Sequence, residues 1–204
     1  MRERPLLLDR VSIRAVLGGR KTQFRSAIKN IPWRQGCNPN FTQARAFPVG
    51  SHFRIAGSEE MTTGFCCPYG VAGDRLWVRE SWQFEVNAIG SEREQDGPFV
   101  YAADDVERGR RIEPRWRPSI HMPRWACRLV LQIEEVKAHR LQRISDEDIR
   151  AEGIEQLNGK FTFNSGLHQS HTARESFRSL WDSARGNWDD NPWVWAITFS
   201  RMTA

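Results

Sequence analysis

A chain of 204 residues fits one domain, and at this length about 70% of the unfolded surface can be buried, enough to fold without a metal or disulfide. Hydrophobic residues make up 39% and charged residues 27%, ordinary values for a globular protein, and the formal net charge is +5. No apolar run approaches the roughly 18 residues of a membrane span, and Leu6–Leu8 ahead of Asp9 is too short for a signal peptide, so a cytoplasmic protein with four reduced cysteines and no membrane partner is expected.

In chain order, Leu6–Leu8 reads as a short buried strand. Asp9 can cap a helix from Arg10 to Leu17, which Gly18-Gly19 stops. Lys21 to Ile28 reads as extended, Asn30 to Gly50 as a long irregular loop, and Ser51–Ala56 as a strand. Cys66-Cys67-Pro68-Tyr69-Gly70 is turn chemistry, and Arg75 to Trp82 is a clear strand. A polar excursion over 85–98 precedes a short strand at Phe99–Ala102, and 104–117 is charged and exposed. Arg124 to Val136 reads as a long strand with Trp125, Cys127, Leu129, Leu131 and Ile133 on one face. Ser145 caps a helix ending near Glu152 and Gly153, and Asn158–Gly166 is a hairpin or loop. Thr172 and Glu175 form a capping box for a helix with the stripe Phe177, Leu180, Trp181 and Ala184, and Trp193–Phe199 is a closing strand.

Charge is distributed unevenly. Residues 1–54 hold eleven Arg or Lys against Glu3 and Asp9, which makes that segment +9 and the remainder −4. A second basic cluster runs from Arg108 to Arg128 through Arg110, Arg111, Arg115, Arg117 and Arg124. Such asymmetry suits a polyanionic partner, although a solvated basic face would look the same. Nine tryptophans serve equally as core filler or as platforms for bases.

Several motifs stand in a suggestive order: Gly19-Arg20-Lys21-Thr22-Gln23-Phe24-Arg25, then Gly73-Asp74-Arg75-Leu76-Trp77-Val78-Arg79-Glu80, then Ile120 to Arg128, then Leu141 to Ser145 with Ala151-Glu152-Gly153-Ile154, and finally Asn191 to Trp195. Together they resemble the ASCH-domain proteins of phages and prophages. That resemblance implies an α+β fold of the PUA-like class: a mixed β-barrel over residues 1–204 with peripheral helices, long loop insertions near 30–65, 85–117 and 155–170, and a cleft between barrel and helices. It also implies a link to RNA or modified nucleosides in a bacterial host cell. One ASCH branch consists of amidohydrolases that deacetylate N-acetylated cytidine with a lysine, a threonine and a glutamate. By position the lysine is Lys21 and the glutamate Glu152, whereas the threonine falls on Phe24. Thr22, about 7 Å away along a strand, does not replace it.

These residues define the candidate site. Lys21, flanked by Arg20 and Arg25, can act as a base or hold a phosphate, and Glu152, at a helix end that disfavours carboxylates, should face a cation such as Lys21 across a ligand-sized hollow. Thr22 and Phe24 share the strand, and the Phe24 ring offers a stacking surface for a base. Arg79 can reach the same cleft, with Arg79–Glu80 as a structural pair. Arg124 and Trp125 suit phosphate contact and stacking, beside His121. Cys66-Cys67 lacks zinc spacing, His168 and His171 have no cysteine pair beside them, and no phosphate-loop or dinucleotide motif occurs, so neither metal nor cofactor is expected. Three readings follow: an RNA- or nucleoside-binding module, a nucleoside amidohydrolase or ribonuclease using Lys21 and Glu152, and a phage assembly accessory.

Overall fold

The computed structural model describes residues 1–84, 98–104, 116–163, 166–184 and 186–202. The organising element is a five-stranded sheet in the order β1-β5-β8-β12-β2, formed by β1 (Glu3–Leu7), β5 (Arg75–Arg79), β8 (Val130–Arg140), β12 (Trp193–Arg201) and β2 (Gln23–Ala27). Only the β1–β5 pair is parallel. A three-stranded sheet combines β9 (Ile154–Leu157), β10 (Lys160–Phe163) and β11 (Leu167–Ser170). Two hairpins join β3 (Arg45–Val49) to β4 (His52–Ala56) and β6 (Trp82–Phe84) to β7 (Phe99–Tyr101). The helices are α1 (Arg10–Leu17), α2 (Asp146–Ala151) and α3 (Ala173–Ala184).

The fold is therefore α+β and strand-rich, but its sheets do not close: among the described residues β1 and β2 are the outer edges of the main sheet, where a closed barrel was expected. The 30–65 insertion carries the β3–β4 hairpin and the 155–170 insertion the whole three-stranded sheet. Of the third insertion, 85–97 and 105–115 lie outside the described residues, as do Arg108, Arg110, Arg111 and Arg115. The strand expected from Arg124 begins instead at Val130, because a 3-10 turn over Arg124–Ala126 follows Pro123. Leu129, Leu131 and Ile133 are buried as the alternation required, whereas Trp125, on the turn, is 42% exposed. No helix among the described residues is long and apolar enough to cross a membrane.

Local chemistry explains the helices. Asp9 accepts hydrogen bonds from the Ser12 backbone N–H (2.8 Å) and hydroxyl (2.7 Å), Ser145 accepts from the Asp148 N–H (3.1 Å), and Thr172 accepts from the Glu175 N–H (3.2 Å). Three acids in the first turn of α2 face its positive end. Amphipathic α1 packs Ile13 and Val16 into the main core, with Leu76, Val78, Leu131, Ile133, Ile197 and Phe199 from the sheet. A second cluster joins α2, α3 and the smaller sheet through Ile149, Ile154, Phe163, Phe177 and Trp181, and reaches β12 at Val194. Full burial of each such side chain favours folding by about 1.5–3 kcal/mol.

Two connections set the site. After α1 the N–H groups of Arg20 and Lys21 both donate to the Ala15 carbonyl (2.8 and 3.1 Å), which fixes where β2 starts, and the Thr22 N–H donates to the Ala151 carbonyl (2.8 Å), which fastens that start to the end of α2. Gly153 then turns the chain at φ +100°, where an added Cβ would sit 3.0 Å from Phe163 and 3.5 Å from the Lys21 Cβ. We expect Gly153→Ala to lower unfolding free energy by about 1–3 kcal/mol through backbone strain, measurable as a lower midpoint in urea at unchanged slope.

Candidate functional site

Residues at alternate positions of an extended segment share a face, so Lys21, Gln23 and Arg25 point together toward α2 while Phe24 points into the core. Lys21 is the acid's direct partner. Its Nζ lies 2.6 Å from Glu152 Oε2 and donates also to the Glu152 carbonyl at 2.8 Å. Arg25 donates to Glu152 Oε1 at 3.1 Å and stands 2.9 Å from Asp148 Oδ2. Gln23 completes the array: its carbonyl accepts from Arg25 (2.6 Å) and its amide donates to Asp148 (3.1 Å) and to Thr198 Oγ1 (3.0 Å).

The side chains of Lys21, Arg25 and Glu152 are at most 2% exposed, and only Asp148 reaches solvent. Two cations and two carboxylates balance, which is the condition under which charges tolerate a low-dielectric interior. Burial alone would push the Asp148 carboxyl up, but the Arg25 charge and the hydrogen bonds from Gln23 and Ser145 outweigh it and hold this acid below its ordinary 3.8.

Lysine and acid thus meet as expected, but the hollow beside them is small. It amounts to about 20 Å³, walled by Asp9, Ser12, Phe177, Leu180, Trp181 and Ala184. A single water needs roughly 10–15 Å³ of such space, so no nucleoside fits there. The ligand-sized hollow expected at this pair is corrected to a water-sized one.

The remaining predicted residues are dispersed. Arg20 pairs with Glu155 at 2.5 Å, and Thr22 is exposed with its N–H and C=O committed to Ala151 and Phe199. Phe24 is 2% exposed and packs edge-on against Tyr69, with centroids 5.0 Å apart, so it is core and presents no free stacking face. Arg79 lies over the Trp77 ring at 4.7 Å and does not pair with Glu80. Glu80 is held instead by Arg128 at 2.9 and 3.0 Å, and burial, opposed by that arginine, pushes its carboxyl up. Arg124 is bidentate to Glu3 at 2.9 and 3.1 Å, and exposed Trp125 packs against Trp82 and Phe99 at 5.6 and 5.5 Å. His121 is exposed on a 3-10 turn.

Two hollows of ligand scale lie along the outer edge of β2. One lobe, about 280 Å³, runs between Leu6–Leu8 and Phe24–Ala27 and is bounded by Lys29 and Tyr69. A second, about 470 Å³, is lined by Ser26–Asn30, Phe65, Cys66, Pro68, Tyr69 and Trp195. The lobes share Ser26, Ala27, Lys29 and Tyr69, and the Tyr69 hydroxyl donates to Ser26 Oγ at 2.9 Å across their junction. The backbone N–H of Ile28 and C=O of Thr22 are bonded to β12, so ladder alternation turns the N–H and C=O of Ala27 off the sheet. Lys29 is exposed and has no ion pair among the described residues. Sequence reading missed Lys29, Phe65 and Tyr69 as a group because turn residues 65–69 meet β2 only in three dimensions; the one available signal was Lys29's membership of the +9 segment.

Among the described residues no group of three or more His, Cys, Asp or Glu side chains is arranged to hold a metal ion. No family model, no curated protein and no solved structure matches this chain.

Two outcomes test this electrostatic reading. Glu152→Gln and Lys21→Met should each lower stability by about 3–5 kcal/mol, whereas the double variant should lose much less than the sum, because the singles strand a buried charge. Asp148 has a folded pKa below its unfolded 3.8, so its ionised form favours the fold above that pH and the contribution fades as pH falls below it. Denaturant titrations should show Asp148→Asn less stable than wild type at pH 7, with the gap narrowing below pH 3.8.

Proposed function

We propose that this protein binds RNA or a nucleotide in the groove along β2, and that the Lys21–Glu152–Arg25–Asp148 array positions this strand instead of touching the ligand. The observation that carries the reading is the groove itself. It combines ligand-scale volume, half-buried faces of Phe65 and Tyr69, an unpartnered edge at Ala27 and an exposed Lys29 among the described residues. Aromatic faces accept any base, a lysine supplies the phosphate contact, and main-chain groups at a sheet edge can read a base edge. Residues 1–54 carry a formal +9, and although Arg4, Arg20, Lys21, Arg25, Arg34 and Arg54 are paired with acids from later in the chain, the exposed Lys29 of that segment stands at the groove, which supports a polyanionic partner. Membership of the PUA-like class as an ASCH-domain protein of phage or prophage origin, acting in the bacterial cytoplasm, is part of the same proposal and rests on the sequence motifs.

A hydrolytic reading has one observation in its favour, the 2.6 Å contact between Lys21 and Glu152. Against it stand the water-sized space beside them and the core position of Phe24. Incubating the protein with acetylated cytidine and with RNA decides the matter: product above that of a Glu152→Gln control would reinstate the enzyme.

For the binding reading, titration of a short unstructured RNA at several salt concentrations should show affinity falling with salt. Lys29→Glu should weaken it and reduce the salt slope by about one. Tyr69→Ala should cost about 1–3 kcal/mol of binding. Wild-type binding that ignores both salt and these substitutions would overturn the proposal.

A further inference from the structure

The groove has two lobes and one cation between them, a division with consequences for ligand length. Phe24–Ala27 line the narrower lobe and Ser26–Asn30 the wider. At about 3.4 Å per extended residue, their centres are offset by some 7–10 Å along the chain. That distance accommodates two separate bases yet is short enough for a single phosphodiester step. The lobes meet where Tyr69 is bonded to Ser26, and Lys29 borders both. Each lobe has a ring at its wall: Tyr69 in both, with Phe65 over the buried Trp195 (centroids 5.5 Å) in the wider one.

We infer that the groove takes two consecutive nucleotides of single-stranded RNA, one base in each lobe, with Lys29 holding the phosphate that joins them. This rests on the binding reading above and narrows it. The narrower lobe sets Leu6–Leu8 against Ser26 and Tyr69, so a base there would meet apolar and polar groups together. The Ala27 main chain borders both lobes, and Asn30 adds an amide to the wider one as a further polar group for a base there. Single-strand sites of this kind gain about 1–3 kcal/mol per stacked base, so filling the second lobe should be visible as a step in affinity.

The experiment is a length series of mono-, di-, tri- and tetranucleotides, RNA and DNA in parallel, measured by calorimetry against the full chain. Affinity should rise about tenfold or more from mono- to dinucleotide and by no more than about threefold at each later step. Lys29→Ala, an exposed substitution, should weaken dinucleotide more than mononucleotide and shrink the first step to about threefold or less. Cys66 is exposed at the rim of the wider lobe, so saturating dinucleotide should slow its alkylation by iodoacetamide relative to Cys37. Equal affinity for mono- and dinucleotide would overturn the two-base inference while leaving the binding reading intact. A smooth rise with length, unchanged alkylation, an unaltered first step in Lys29→Ala or a preference for DNA would each overturn it also. Absence of binding by any member would overturn the binding reading as well.

Discussion

Everything near β2 depends on a buried charge cluster that is complete only when two distant segments meet. Lys21 and Arg25 would be stranded cations without α2, and Glu152 a stranded anion without β2. Such a pair contributes little net stability compared with well-packed hydrophobic residues, but leaving one member unpaired costs several kcal/mol. The cluster therefore acts mainly against misplacement. A slip of β2 by one residue would put Phe24 where Arg25 stands and turn the ions into the core, so the register with β12 is held by electrostatics as well as by packing.

That constraint bears on the opposite side of the same strand. An outer strand presents unpaired backbone and tends either to fray or to recruit another chain. Here the inner ladder to β12, the Thr22–Ala151 hydrogen bond and the charge cluster secure β2, which leaves its free edge as the wall of a defined groove. Tyr69 adds a brace from the turn, donating to Ser26 while its ring meets the edge of Phe24. A ligand held there would meet a preorganised surface, and the ordering cost of binding would fall chiefly on the ligand.

What the sequence disclosed follows the range of the forces involved. The three helices and their caps at Asp9, Ser145 and Thr172 are local, and they stand where the sequence puts them to within a residue or two. So does the Asn158-Gly159 turn, both residues at positive φ, joining β9 to β10 within a stretch read as hairpin or loop. Strand pairing is not local, and the 30–50 stretch, with Pro48 inside β3, carried no sign of its partner β4. The meeting of Lys21 with Glu152 was legible through motif resemblance and the helix-end position of the acid, whereas its tight closure by Phe177, Leu180 and Trp181 from α3 was not legible at all. Phe24 was expected to offer a stacking ring, but it lies on the strand face opposite Lys21 and Arg25, and that face is core.

The placement of β12 has a bearing on biosynthesis. This strand lies inside the main sheet, between β8 and β2, and pairs Val194 with Ala27, residues far apart in a chain made from its amino end. During translation β2 must wait, with its neighbour still unmade, until nearly all the intervening chain has emerged. Pairing over such separations is intrinsically slow, because loop closure precedes the contacts that compensate it. Until β12 has been made, β2 has no partner in the main sheet, and the groove along its other edge is unfinished.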